Sequence, residues 1–419
     1  MGFQQGISGL NAASKNLDVI GNNIANANTY GEKVSRAEFA DVYANTVTGS
    51  RNTVGIGTTL AAVSQQFTQG TITPTDNPLD VAISGNGFFE VSNASGAIAY
   101  TRNGQFKADN TGFIVNDQGQ RLMGYPADAT GTIIPGTASA LQLPTAGITP
   151  AVTTKISMQM NLDSTKAVTP AVAGTPIDFA DPTTYNNATS QTVYDVKGQA
   201  VALTYYFQKA STDTWNVYVA ANGTPISVSG GKPAPSTTIT FPSNGGTPTA
   251  PVGTVALAIP SVTNAVGATT VPIAGIALDL SGATQYGAQF GVTALDQDGY
   301  TAGSLSGVSF SGNGVLTATY SNGQTKPAGQ LEMANFRNPQ GLAPTGGNSW
   351  IQTTASGAPV VGVAGDGSLG VLQAGALEES NVDLTAELVN MITAQRNYQA
   401  NAQTIKTEDQ IMQTIVNLR

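Results

Sequence analysis

The sequence predicts an α+β fold that is mainly β. Helices from both chain ends form a coiled coil, with nested β-sheet domains, sandwich- or barrel-like, between them. Three observations predict it. The stretch from Ala376 to Arg419 contains neither Gly nor Pro, in a chain with 48 Gly among 419 residues. Apolar residues near both ends alternate by four and three. Between the ends, short alternating apolar runs recur, separated by Gly-bearing turns.

The C-terminal pattern comes first. Leu384, Leu388, Met391, Gln395, Tyr398, Ala402, Ile405, Asp409, Met412 and Val416 form a heptad seam, widened by Ile411, Ile415 and Leu418. Ser380-Asn381-Val382-Asp383 reads as a capping box ahead of it. A helix from Asp383 to Arg419 would be roughly 55 Å long at 1.5 Å per residue, so its stripe needs a partner of similar length. Phe3, Ile7, Leu10, Ser14, Leu17, Gly21 and Ile24 keep the same alternation at the other end. Gly21 and Asn22, Asn23, Asn26 and Asn28 weaken that helix, and Gly31 is a natural stop. Two readings stay open: a helical hairpin that closes a monomer, or helices that pack against copies of themselves. For the second, the expected assembly seam is Phe3, Ile7, Leu10, Leu17, Ile24, Leu384, Leu388, Met391, Tyr398, Ile405, Met412 and Val416.

Phe39, Val42 and Tyr43 suggest a short amphipathic turn, and Val54-Gly55-Ile56-Gly57 and Leu60 to Val63 extended pieces. From Gly70 the pattern is β: Val81 and Ile83, Phe89 and Val91, Ile98 and Tyr100, Phe113 and Val115, Leu122 and Tyr125, with Gly-bearing turns between. A second β region is richer in Thr, Pro and Gly. Its firmest hairpin sets Val201, Leu203, Tyr205 and Phe207 against Trp215, Val217 and Val219 across Ser211-Thr212-Asp213. The first domain's style resumes near Asp296, with Leu316, Ala318 and Tyr320 before Leu331 and Met333. The expected division is 1–30 and 376–419 as terminal helices, with 31–70 and 363–375 as a connecting segment. Residues 71–147 and 282–362 make the first β domain, and 148–281 an inserted outer β domain.

Composition restricts the function classes. Only 10% of residues are charged, the net charge is −9, and neither Arg nor Glu occurs between Arg121 and Glu332. That leaves no electrostatic footprint for nucleic acid or an anionic membrane. Without Cys or His there are no disulfides, thiolate sites, Cys nucleophiles or imidazole bases. No apolar run of about 18 residues spans a membrane. The N-terminus carries no secretory-signal pattern, so export is expected to leave it intact.

Candidate chemistry is sparse. Gly365-Asp366-Gly367-Ser368-Leu369-Gly370 matches a dinucleotide fingerprint, but no parallel sheet has room to follow it. Asp296-Gln297-Asp298-Gly299 echoes a calcium loop, yet Gly307 stands where the twelfth ligand belongs. Asp178 with Asp181, or Glu378 with Glu379, are nominal carboxylate pairs that read as surface acids and a helix N-terminus. No active site, cofactor or metal is read, and the chain is expected not to be an enzyme.

Long motifs at both ends carry a resemblance. Ser8 to Ala12 with Leu17 to Asn26 resembles the N-terminal motif of the bacterial flagellar rod and hook proteins. Leu377-Glu378, Ser380 to Leu384, Glu387 to Ile392 and Ala394 to Gln399 are similar to its C-terminal partner. Leu79 to Ile83, Gly87-Phe88-Phe89 and Arg102 to Phe106 resemble the family's first sheet domain. Thr192 to Asp195, Gly198 and Tyr206-Phe207 resemble the inserted domain of its hook members. One departure is Glu32, where the family commonly has an aromatic residue. The resemblance implies a structural subunit of the flagellar hook, self-assembling into a helical homopolymer that transmits torque as a flexible universal joint. It implies an inner tube of terminal helices and outer layers of sheet domains. The implied partners are further copies of the chain, the distal rod protein, the hook–filament junction protein, the hook cap and the flagellar type III export apparatus. The implied location is extracellular, in the hook part of the basal body–hook structure. The alternatives are a distal rod or hook–filament junction subunit, or an exported β-rich carbohydrate-binding surface protein. For the last, clustered aromatics or acids would be expected in the insert, where Trp215 stands with scattered Tyr.

Overall fold

The computed structural model describes residues 2–42, 55, 57–169, 177–264 and 267–417. Tyr43, Val54, Ile56 and Leu418, named above, lie outside the described residues. Helix α1 spans Gly2–Ala25 and helix α2 spans Leu384–Asn417, with strands and turns between them. Among the described residues no sheet closes into a barrel.

Local chemistry sets where the helices begin and end. α1 stops at Ala25, and the chain turns to Gly31, whose φ is 74°. A Cβ there would lie 2.5 Å from the Asn103 nitrogen, so the close approach requires Gly. α2 begins later than a capping box at Ser380 implies. Asp383 is the N-cap: its Oδ1 accepts from the Thr385 and Ala386 N–H groups at 2.9 and 3.1 Å. Ser380 cannot cap because Asn381 is engaged elsewhere. Asn381 Oδ1 accepts from the Val34 N–H at 2.7 Å, and its Nδ2 donates to the Gln66 carbonyl at 2.8 Å. Those bonds hold residues 380–382 outside the helix.

Residues 35–42 are a strand, which corrects the expected amphipathic turn. Ser35–Val42 pairs antiparallel with Gly57–Gln65, from Ser35 opposite Gln65 to Val42 opposite Gly57. Long-range ladder bonds override a local spacing that fits either structure.

The chain divides into two compact units. The first comprises residues 1–145, 306–319 and 325–419. Its main sheet runs through the strands Leu305–Phe310, Val315–Tyr320, Thr325–Asn335, Arg121–Pro126, Phe88–Ser92, Ile98–Thr101, Ser349–Ile351 and Ala343–Gly346. Val81, Phe89, Leu122, Leu316, Leu331 and Met333 share one core of this unit. Phe88, Tyr100, Phe336 and Trp350 form another, with Phe67 edge-on to Phe88 and Trp350. Two short ladders lead into α2: Val81–Ser84 with Val371–Ala374, and Ile72–Pro74 with Ala376–Glu378.

The second unit comprises residues 146–305 and 320–324. The hairpin read from sequence forms there, with Tyr205 opposite Val219 and Phe207 opposite Val217. Side chains of two five-stranded sheets, including Met158, Met160, Tyr205, Phe207, Trp215 and Ile276, share one core. Trp215 Nε1 donates to Gln285 Oε1 at 2.9 Å. This unit runs past residue 281, because Ala283–Tyr286 and Gly291–Gln297 both pair with Lys155–Asp163. The run near Asp296 therefore belongs to this unit's sheet.

Candidate assembly surface

The two terminal helices pair within one chain. A Cβ added to Gly6 would meet Ile405 Cγ1 at 2.9 Å, and one added to Gly9 would meet the Asn401 side chain at 2.8 Å. Asn23 Nδ2 lies 3.4 Å from Glu387 Oε2. Rising numbers on α1 thus meet falling numbers on α2, so the helices are antiparallel. The α1 face involved is Gly6, Ala13, Ile20 and Asn23, all buried, at helical spacing. Small residues let the backbones approach closely. Asn23 also donates to the Ser35 carbonyl at 2.8 Å and accepts from the Ser35 N–H at 2.9 Å, fixing α1 to the first hairpin.

This pairing does not consume the twelve seam residues. Met391 and Ile405 are half-buried, flanking Ala394, which is buried on α2. Leu10, Leu17 and Ile24 are half-buried on α1, while Phe3 and Ile7 are exposed. Leu384, Leu388, Tyr398, Met412 and Val416 are exposed, Val416 by 70%. Val389, Ile392, Ile411 and Ile415 extend the same apolar exposure along α2. The sequence reading missed the small-residue face. Its signal was present, because Gly6, Gly9, Ala13, Asn16, Ile20 and Asn23 alternate by three and four, offset from the apolar seam.

A buried ion cluster joins two of the recognised motifs, through Arg102 and Glu378, to Lys33 in the segment after α1. Lys33 Nζ donates to Glu378 Oε1 at 2.6 Å, and Arg102 Nη1 to Glu378 Oε2 at 3.1 Å. All three side chains are buried. Glu378 Oε1 also accepts the Gly70 N–H, Lys33 donates to the Thr68 carbonyl, and Arg102 Nη2 donates to the Gly85 carbonyl. Burial pulls the Lys33 pKa down while the Glu378 carboxylate pulls it back up. Two cations share one carboxylate here. Glu32, half-buried beside Lys33, has its pKa raised by burial. Glu378 is therefore a buried counterion at the end of a strand, and not the surface or helix N-terminal acid expected from sequence.

The other nominal sites are turns and caps. Gly365 N–H donates to the Gly370 carbonyl at 2.9 Å, closing a turn between Val360–Val363 and Val371–Ala374. Asp298 Oδ1 accepts from the Thr154 and Lys155 N–H groups. Asp181 caps a short 3₁₀ turn through the Thr183 N–H.

Comparison with known proteins bears on the whole chain. Residues 3–31 match the flagella basal body rod protein model, and 82–159 the flagellar hook protein FlgE/F/G D1 domain. Residues 161–300 match the flagellar basal body protein FlaE D2 domain, and 373–418 the flagellar basal body rod FlgEFG protein C-terminal model. The flagellar hook protein FlgE of Salmonella typhimurium is 44% identical over 422 residues, covering 100% of both chains. That of Escherichia coli K12 is 44% identical over 421 residues, again covering both fully. That of Borreliella burgdorferi is 33% identical, covering 99% of this chain and 98% of the relative. The crystal structure of Helicobacter pylori flagellar hook protein FlgE2 aligns with a TM-score of 0.51 at 15% identity, over 73% of this chain and 99% of that one, a likeness of fold. With end-to-end identity at these levels, the chain belongs to the flagellar hook protein family.

Proposed function

We propose that this chain is a structural subunit of the bacterial flagellar hook, in which the exposed apolar face of the α1–α2 hairpin is the seam between copies. The carrying observation is that α1 and α2 already satisfy each other through a small-residue face, yet Leu384, Leu388, Ile392, Tyr398, Ile411, Met412, Ile415 and Val416 stay exposed. A contiguous apolar face of this kind marks an interaction site. Burying each large side chain contributes about 1.5–3 kcal/mol. The terminal helices then make the inner tube, and the sheet units its outer layers. The charge-poor, Thr/Ser/Gly-rich outer surface gives weak contacts that slide as the tube bends. The distal rod protein, the junction protein, the hook cap and the type III export apparatus are the further partners this role calls for. Distal-rod and junction readings are not favoured, because the relatives that match from end to end are hook proteins.

The test is assembly of Leu388→Asp and Tyr398→Asp in cells lacking the native gene. Both variants are expected to be made and to keep folded sheet units by circular dichroism, yet to build no hook. Hooks of normal length from either variant would remove this face as the seam.

A further inference from the structure

Glu90 and Glu332 are an acidic pair for which the chain holds no counterion among its described residues. They lie on adjacent strands, one position on from the Met333–Phe89 pair, on the sheet face opposite that core. Each is only 5% exposed. The Tyr125 hydroxyl donates to Glu332 Oε1 at 2.8 Å. The Glu90 carboxylate makes no hydrogen bond among the described residues, and no Lys or Arg there forms an ion pair with either acid. Both line a cavity of about 750 Å³, also bounded by Tyr100 and by the exposed apolar side chains Ile98, Ile351 and Val361. Like charges opposite one another on adjacent strands are destabilising, and an unpaired buried carboxylate more so. Burial and the Glu332 charge push the Glu90 pKa up to about 7.

The cavity is far larger than a bare ion, and its lining combines carboxylates with apolar side chains, which suits an amphipathic cation: apolar contact for an aliphatic stem, acids for its head. Resting on the self-assembly reading above, we propose that this cavity is a socket for a Lys or Arg side chain of a second copy of the chain. The chain supplies such groups: Lys197, Lys232 and Lys406 are exposed and form no salt bridge among the described residues.

The experiment follows polymerisation of the purified full-length chain by light scattering and electron microscopy, for wild type, Glu90→Gln, and Glu90→Gln with Glu332→Gln. The expected result is a critical concentration raised at least about tenfold in the double variant, with the monomer melting no lower than wild type. The single variant supplies the comparison if the double one misfolds. Polymerisation at the wild-type concentration overturns the socket. So does Mg²⁺ or Ca²⁺ raising the melting temperature of wild-type monomer but not of the double variant, which makes this an ion site. Failure of the wild type itself to polymerise under any condition overturns the assembly reading first, and the socket with it.

Discussion

The Lys33 ammonium donates to the Glu378 carboxylate at 2.6 Å across 345 residues of chain, with both side chains fully buried. Arg102 reaches the other oxygen of the same carboxylate from the β domain. One acid therefore ties the segment after α1, a β-domain turn and the approach to α2.

Glu378→Gln keeps the shape and removes the charge. Lys33 and Arg102 would then be buried with no counterion in direct contact, a loss of about 3–5 kcal/mol for a broken buried pair. Chemical denaturation of the monomer should show that loss in the first unit, with the Trp215 environment of the second unit unchanged. Wild-type stability in this variant would mean that hydrogen bonds, and not charge, hold the junction.

Glu90 predicts a pH dependence of opposite character. Its folded pKa is raised to about 7 from 4.5, first by burial and then by Glu332. Between those values the folded chain holds a proton that the unfolded chain has lost, so stability rises as pH falls through that window. The penalty is fully present above about pH 7. Glu90→Gln should melt higher than wild type at about pH 8, with the gain gone by about pH 4. Parallel melting curves across that range would show that Glu90 carries no penalty.

Gly6 tests the helix pairing. A Cβ at this position meets Ile405 Cγ1 at 2.9 Å, so Gly6→Val overpacks the contact by about 1–3 kcal/mol. Hydrogen exchange along α1 should accelerate in the variant while the strands of the first unit stay protected. Unaltered exchange would mean that the helices do not pair this closely.

These sites differ in how far local pattern reveals them. The hairpin of Tyr205 and Phe207 against Val217 and Val219 was legible because its two-residue period is written in adjacent residues. The apolar stripe of α2 was legible because its spacing of three and four is equally local. Lys33, Arg102 and Glu378 were not, since a buried ion cluster assembled over hundreds of residues leaves no periodic trace. Asp383 displaced Ser380 as the cap because Asn381 answers to Val34 and Gln66, partners far away in sequence. The later boundary of the second unit was hidden by style. Ala283–Tyr286 and Gly291–Gln297 look like any other Gly/Thr-flanked strands until their shared partner, Lys155–Asp163, is seen.

That partner shapes the last prediction, excision of the second unit. Removing residues 148–280 alone would strand Ala283–Tyr286 and Gly291–Gln297 without their ladder. Ile148 and Gly303 face each other in an antiparallel bridge, so replacing 149–302 by a short Gly-containing turn joins two neighbouring backbones. The first unit keeps both helices and its own cores, and should melt cooperatively on its own. If the seam lies on α1 and α2, the shortened chain still polymerises. Its tubes should differ in curvature or bending stiffness by electron microscopy, because the sliding outer contacts are gone. Loss of polymerisation despite a folded first unit would place essential subunit contacts in residues 149–302. Tubes with wild-type mechanics would deny that region a part in bending.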